Sequence, residues 1–220
     1  MLKKYMAMLF IGLLTISLAA CGNQDGEQAS GANEQQYEST TTVDKSYKSI
    51  FRTSVFLGDS ITEGLSFHEI LDDANVMGKA GATALFALDD VDVLASKNPK
   101  NVFIHLGSDD ILWPTNNPKE FSMTQYAILI DKIKGKLPNA NIMIVSVTPV
   151  TAEAEKEEPR YKNIKDYNKG LKELAAKEQV KFIDLSPVFQ NNQNLHDTDG
   201  IHFKKEYYTL LLDFLKDQVK

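Results

Sequence analysis

The rhythm of apolar and polar positions changes several times along this chain, and each change predicts an element. After a charged start at Lys3 and Lys4, residues 6–18 are almost wholly apolar. Residues 22–49 are rich in Gly, Asn, Gln, Glu, Ser and Thr, with too few apolar side chains to build a core. Beyond them, short β-branched and aromatic runs alternate with helical periodicity. Strands are expected at about residues 53–57, 75–78, 101–106, 142–147 and 180–185. Thr83 can cap a helix whose Leu85, Leu88, Val91 and Leu94 recur at three-residue steps. Further helices are expected at 122–137, stopped by Pro138, at 161–179, and at 203–219 with a Leu-rich face. The acidic run 153–158 reads as a solvated loop. Strands alternating with helices imply βαβ units and an α/β fold whose mainly parallel sheet is covered on both faces. Sites in such sheets lie at the carboxyl ends of the strands. Three turns converge there: Gly58-Asp59-Ser60, Gly107-Ser108-Asp109-Asp110 and Thr148-Pro149.

Composition narrows the picture. The chain has 220 residues, is 43% hydrophobic and carries a formal net charge of -6, which suits one domain at 50–220 and disfavours nucleic acid as a partner. Its single cysteine, Cys21, excludes an intrachain disulfide. Residues 1–20 have the layout of a secretory signal peptide, too short for an ordinary membrane span. Leu18-Ala19-Ala20-Cys21 resembles the lipobox of bacterial lipoproteins. That resemblance implies cleavage before Cys21, a lipid on its thiol, and a place on the extracytoplasmic face of the cell membrane. Residues 21–49 would then be the lipidated Cys and a flexible tether.

The candidate chemistry centres on Ser60. A strand that ends in Gly-Asp-Ser puts this hydroxyl at the rim of a sheet, beside free N–H groups that favour a developing oxyanion. From this stretch alone, a helix N-cap is an equally physical role for Ser60, and the commoner one. A serine nucleophile needs a base, and the base needs an orienting partner. Of the four histidines, His68 reads as partly exposed surface, His105 as a core residue, and His196 as a loop residue without an obvious partner. His202 has Asp199 three residues earlier, close enough to set its tautomer. His196, Asp197, Asp199 and His202 could also ligate a metal, but neither His-Glu-x-x-His nor a calcium-loop pattern occurs, and no metal or other cofactor is expected. Gly78 and Gly81 do not make a dinucleotide fingerprint.

Gly58-Asp59-Ser60, Gly81, Gly107-Ser108-Asp109-Asp110 and Asp199-x-x-His202 resemble, in that order, the blocks of the SGNH/GDSL hydrolase family. The resemblance implies a flavodoxin-like three-layer α/β/α sandwich and hydrolysis of esters, often acetyl or other acyl esters on carbohydrates or lipids. It assigns Ser60 as nucleophile, His202 as base and Asp199 as the acid that orients it. It assigns the oxyanion hole to the Ser60 and Gly81 N–H groups and to the position of Asp109. There the chain departs from the pattern, because the family has asparagine and a carboxylate only accepts. A protonated Asp109, an Asp109 turned away, or a protein that transfers acyl groups or only binds ligand would each reconcile the difference. Trp113, just after the third block, is a candidate for the substrate rim, with loop packing the alternative. Asp59 and Asp110 read as turn and network residues.

Overall fold

A computed structural model of the chain describes residues 47–190 and 192–219. The expected signal peptide, Cys21 and nearly all of the tether lie outside the described residues. Five parallel strands form one sheet in the order β2-β1-β3-β4-β5: β1 (Ser54–Gly58), β2 (Val76–Gly78), β3 (Asn101–His105), β4 (Asn141–Val145) and β5 (Lys181–Ile183). Phe56 pairs with Val76 and Phe103, and Val102 with Ile142, all in parallel register. This is the doubly wound order of flavodoxin-like sheets, whose switch point falls between β1 and β3.

The strand residues are apolar on both faces because both faces are covered. Val55, Leu57, Val102, Ile104, Ile142 and Ile144 point into one core. It is closed by Val91 and Leu94 of α2 (Val91–Ser96), Tyr126, Leu129, Ile130 and Ile133 of α3 (Pro118–Lys136), and Leu171 and Leu174 of α5 (Ile164–Lys177). Phe56, Phe103, Met143 and Val145 point the other way. They meet Ile61 and Leu65 of α1 (Ser60–Phe67), Val188 of α6 (Ser186–Gln190), and Tyr207, Leu211 and Leu212 of α7 (Lys205–Leu215). Phe56 and Phe103 stack at 4.6 Å between ring centres. Tyr47 and Phe51 are buried in this second core, so packing reaches back ahead of residue 50.

Several elements differ from expectation at their ends. The acidic run is a helix, α4 (Ala152–Glu157), not a loop. Thr151 caps it by accepting the Ala154 N–H, and its glutamates sit close to the positive end of a short helix dipole. α3 begins at Pro118 rather than near 122, because Asn117 caps it through the Glu120 N–H and proline suits the first helical position. Residues 86–90 form a 3₁₀ turn before α2, and Pro159–Asn163 form another before α5, where continuous helix was expected.

Candidate active site

The turn after β1 assigns the capping role to Asp59 instead of Ser60. Asp59 Oδ1 accepts the Ile61 N–H at 3.0 Å and starts α1. Ser60 therefore enters the helix at its first position with its hydroxyl uncommitted to the backbone. His202 Nε2 lies 2.9 Å from Ser60 Oγ, across 142 residues of chain.

His202 is held by its own loop. Asp199 Oδ1 accepts the N–H groups of Ile201 and His202 at 2.9 Å each, and Oδ2 lies 2.5 Å from His202 Nδ1. Burial works against the Asp199 charge, but these donors outweigh it and hold the carboxyl below its usual range. With Asp199 accepting at Nδ1, the neutral imidazole carries its proton there and turns a lone pair at Nε2 toward Ser60. Gly200 makes the bend possible at φ +71°, a conformation that side chains resist. Its carbonyl accepts the Thr151 N–H at 2.9 Å, so the cap of α4 also braces the Asp-His loop. His196, expected to lack a partner, lies with Nε2 2.9 Å from the Pro149 carbonyl and packs on Phe203. This contact seats the other side of the same loop.

Neither of the other two histidines is hydrogen-bonded to Ser60 or Asp199. His105 is buried in β3, and burial pushes it down to about 4, so it is a neutral core residue. His68 caps the end of α1, half-buried, with Nε2 3.3 Å from the Phe203 carbonyl.

Three carboxyls gather near the turn that carries Ser60. Asp59 also accepts the Ser108 N–H at 3.3 Å, yet burial and then the neighbouring Asp109 charge push it up to about 7. Asp110 accepts the Ala84 N–H at 3.1 Å and the Ser122 hydroxyl at 2.6 Å; burial still pushes it up to about 6. Asp109 is raised by burial, while the charge of His202 pulls it back. Like charges this close do not all ionise together. Asp59 and Asp110 are the network residues expected of them. Asp59 links the turns after β1 and β3, and Asp110 links the loop after β2 to that after β3 and to α3. Among the described residues, no donor is bonded to the Asp109 carboxyl.

Gly81 sits exposed on the loop after β2 at φ +75°, where an added Cβ would meet nothing within 4 Å. No protein acceptor takes the Ser60 or Gly81 N–H among the described residues. Both remain available to an oxyanion. No group of three or more His, Cys, Asp or Glu is placed to hold a metal ion among the described residues.

A cleft of about 330 Å³ opens beside Ser60, Asp199 and His202. Its walls include Glu63, Phe67, His68, Asp197 and Tyr208; Trp113 is not among its lining residues. Trp113 stacks on Phe121 at 5.4 Å and meets Phe86 edge-on, which is the packing alternative for this ring. Sequence reasoning passed over Glu63, Gly64 and Phe67. Their spacing from Ser60, three, four and seven residues on, puts all of them on one helix face with it. Tyr208 carried no such signal, because only folding brings α7 to α1.

Residues 56–210 match the family model of the GDSL-like lipase/acylhydrolase family. No curated protein matches the chain. Among solved structures, a GDSL-like lipase from Bacteroides thetaiotaomicron is 18% identical with a TM-score of 0.62, covering 83% of this chain and 96% of its own. A lipase/acylhydrolase from Enterococcus faecalis is 20% identical at a TM-score of 0.57, covering 76% and 96%. An acetyl xylan esterase is 17% identical at 0.58, covering 76% and 99%.

Proposed function

Because the chain belongs to the GDSL-like lipase/acylhydrolase family, whose chemistry is that of an esterase, we propose that it hydrolyses short-chain acyl esters, acetyl esters foremost, through Ser60, His202 and Asp199. The observation that carries this reading is the continuous line of contacts from Ser60 Oγ to His202 Nε2, at 2.9 Å, and from His202 Nδ1 to Asp199 Oδ2, at 2.5 Å. Ser60 Oγ attacks the ester carbonyl as its proton passes to His202 Nε2. Asp199 keeps the imidazole oriented and offsets the charge it gains. The Ser60 and Gly81 N–H groups receive the oxyanion. His202 returns the proton to the leaving alcohol oxygen, which departs with the electron pair of the broken C–O bond. Water, deprotonated by His202, then attacks the acyl-Ser60 ester, and the acid leaves as Ser60 regains its proton. No cofactor enters these steps. The acetyl xylan esterase among the similar folds supports a small acyl group.

The reading extends to the amino terminus: Cys21 carries a lipid and tethers the domain to the outer side of the cell membrane, on the strength of Leu18-Ala19-Ala20-Cys21. Mass spectrometry of the mature protein from a bacterial membrane fraction tests this through the mass of the Cys21 peptide.

Asp109 favours a second reading, a ligand-binding or acyl-transferring protein with weak hydrolysis, because a carboxylate stands where a donor would serve. Acetate release from p-nitrophenyl acetate by the purified chain decides between them. Release that vanishes in Ser60→Ala supports the hydrolase. A parent no faster than Ser60→Ala, with Asp109→Asn equally inert, would overturn it.

A further inference from the structure

Asp109 differs from the two carboxyls beside it in having no partner. Asp59 accepts the N–H groups of Ile61 and Ser108, and Asp110 accepts the Ala84 N–H and the Ser122 hydroxyl. Asp109 stands ahead of the 3₁₀ turn Asp110–Leu112 without capping it, and its carboxyl makes no hydrogen bond or ion pair among the described residues. Arg160, which reaches the same turn, is committed elsewhere. Its Nε and Nη2 hold Glu158 at 2.8 and 2.6 Å, and Nη1 donates to the Leu112 carbonyl at 2.9 Å. A half-buried carboxylate without donors or a cation is costly, and the fold offers this one neither.

Three relationships bracket this carboxyl. The Ser108 N–H is bonded to Asp59, beside Ser60, at 3.3 Å. Asp110 holds the Ala84 N–H at 3.1 Å, and with it the loop that carries Gly81. The charge of His202 acts on Asp109 itself. Asp59 is the deeper acid, pushed up to about 7 by burial and then by the Asp109 charge, so Asp109 stays the ionised member of the two. In the steps proposed above, that charge repels the oxyanion whenever the acyl group is neutral. The nitrogen of an aminoacyl ester is bonded to the carbon next to the carbonyl. A carboxylate near enough to disturb the oxyanion is therefore near enough to pair with an ammonium there. We infer that Asp109 selects the acyl half of the substrate, pairing with the α-ammonium of a small aminoacyl ester such as a glycyl or alanyl ester. This rests on the esterase reading given above.

The ammonium attracts both the carboxylate and the oxyanion, so a handicap toward neutral acyl groups becomes an advantage. A glycyl group is an acetyl group with a hydrogen replaced by an ammonium, so the acyl size stays that proposed above. An anionic acyl group, such as succinyl, would add repulsion. A cation on the alcohol half, as in a choline ester, would follow the leaving oxygen to His202 Nε2 and oppose the imidazolium formed there. Glu63, Asp197 and Asp199 line the cleft beside Ser60, with no lysine or arginine among its lining residues, so the approach favours a cationic substrate.

The test compares glycine ethyl ester with ethyl propanoate, which carries a methyl group in place of the ammonium. The full chain is used at about pH 6.5, below the usual range of an α-amino group. The ratio of kcat/KM for the glycine ester to that for the propanoate is expected to fall roughly 10- to 100-fold in Asp109→Asn. N-acetylglycine ethyl ester, which lacks the charge, should behave as the propanoate does. Intrinsic ester reactivity cancels between parent and variant, and a merely structural role for Asp109 would move all three esters together. A ratio unchanged in Asp109→Asn would overturn the inference, as would a parent that cleaves the propanoate faster than the glycine ester. Binding is followed separately by NMR titration of Ser60→Ala with glycine ethyl ester, where adding Asp109→Asn should weaken affinity by roughly 10-fold. If the parent cleaves none of these esters, the esterase reading fails. The ammonium site then stands if that binding depends on Asp109, and falls with the esterase reading if it does not.

Discussion

Asp59 and Ser108 are joined by a hydrogen bond of 3.3 Å that ties the turn carrying Ser60 to the turn after β3. The same carboxyl starts α1 through the Ile61 N–H. One buried acid thus fixes the backbone on both sides of the sheet's switch point. Its pKa of about 7 makes that joint sensitive to pH.

The sign follows from proton binding. An unfolded Asp59 titrates at 3.8 and the folded one at about 7. Between those values the native state holds more protons than the unfolded state, so stability falls as pH rises and levels off above about 7. Asp110, raised to about 6, contributes in the same direction over a narrower range. Urea unfolding from pH 4 to pH 8 should therefore show the parent losing stability relative to Asp59→Asn as pH increases, with most of the divergence complete by about pH 7. A gap between the two that does not change with pH would contradict the raised pKa.

Asp109→Asn should raise kcat on p-nitrophenyl acetate by on the order of 10², because it replaces an acceptor with a donor where one oxyanion donor is commonly worth that much. The same change removes the charge that, after burial, does most to raise Asp59. The pH-dependent loss of stability should then shift to lower pH. A fall in kcat would instead give Asp109 a role of its own.

Asp199→Asn leaves a side chain of the same shape but without the charge that favours the Nδ1–H tautomer and the imidazolium. A loss in kcat of about 10²–10⁴ is expected, with little change in KM for p-nitrophenyl acetate. Steady-state kinetics that moved KM alone would remove Asp199 from the proton relay.

Gly200→Ala should damage both stability and turnover. Its φ of +71° disfavours a side chain, and the new Cβ would lie 2.2 Å from Thr151 Oγ1 and 3.1 Å from Thr151 Cγ2. Either the Asp-His loop or the cap of α4 must shift. The expected cost is about 1–3 kcal/mol in denaturant unfolding, and a kcat loss of at least about 10-fold follows if His202 moves from Ser60. A variant that keeps both values would mean that the loop is not braced by α4.

Much of this protein was readable because local chemistry and global position agree. The β-branched and aromatic runs determine five short strands, the central three of them buried, and their alternation with amphipathic helices determines a parallel sheet with its site at one end. Asp199 and His202 were legible as a pair because three residues of one loop separate them. The order of the glycine, serine and aspartate blocks carried the family. By contrast, the run Glu153 to Glu158 reads as a solvated loop, yet Thr151 caps a helix over most of it that buttresses the Asp-His loop. No local signal says what that helix will touch. Ser60 and Asp59 are both competent caps, and only the backbone path after β1 gives the cap to Asp59 and leaves Ser60 for His202, 142 residues away. The raised pKa values of Asp59 and Asp110 likewise depend on burial and on the neighbouring Asp109 charge. The aromatic wall of the cleft needs α7 to bring Tyr208 to His68. Periodicity and turn chemistry act over a few residues and are written in the chain. Burial, charge proximity and cross-chain contacts act through space, and exist only once the sheet has brought its loops together.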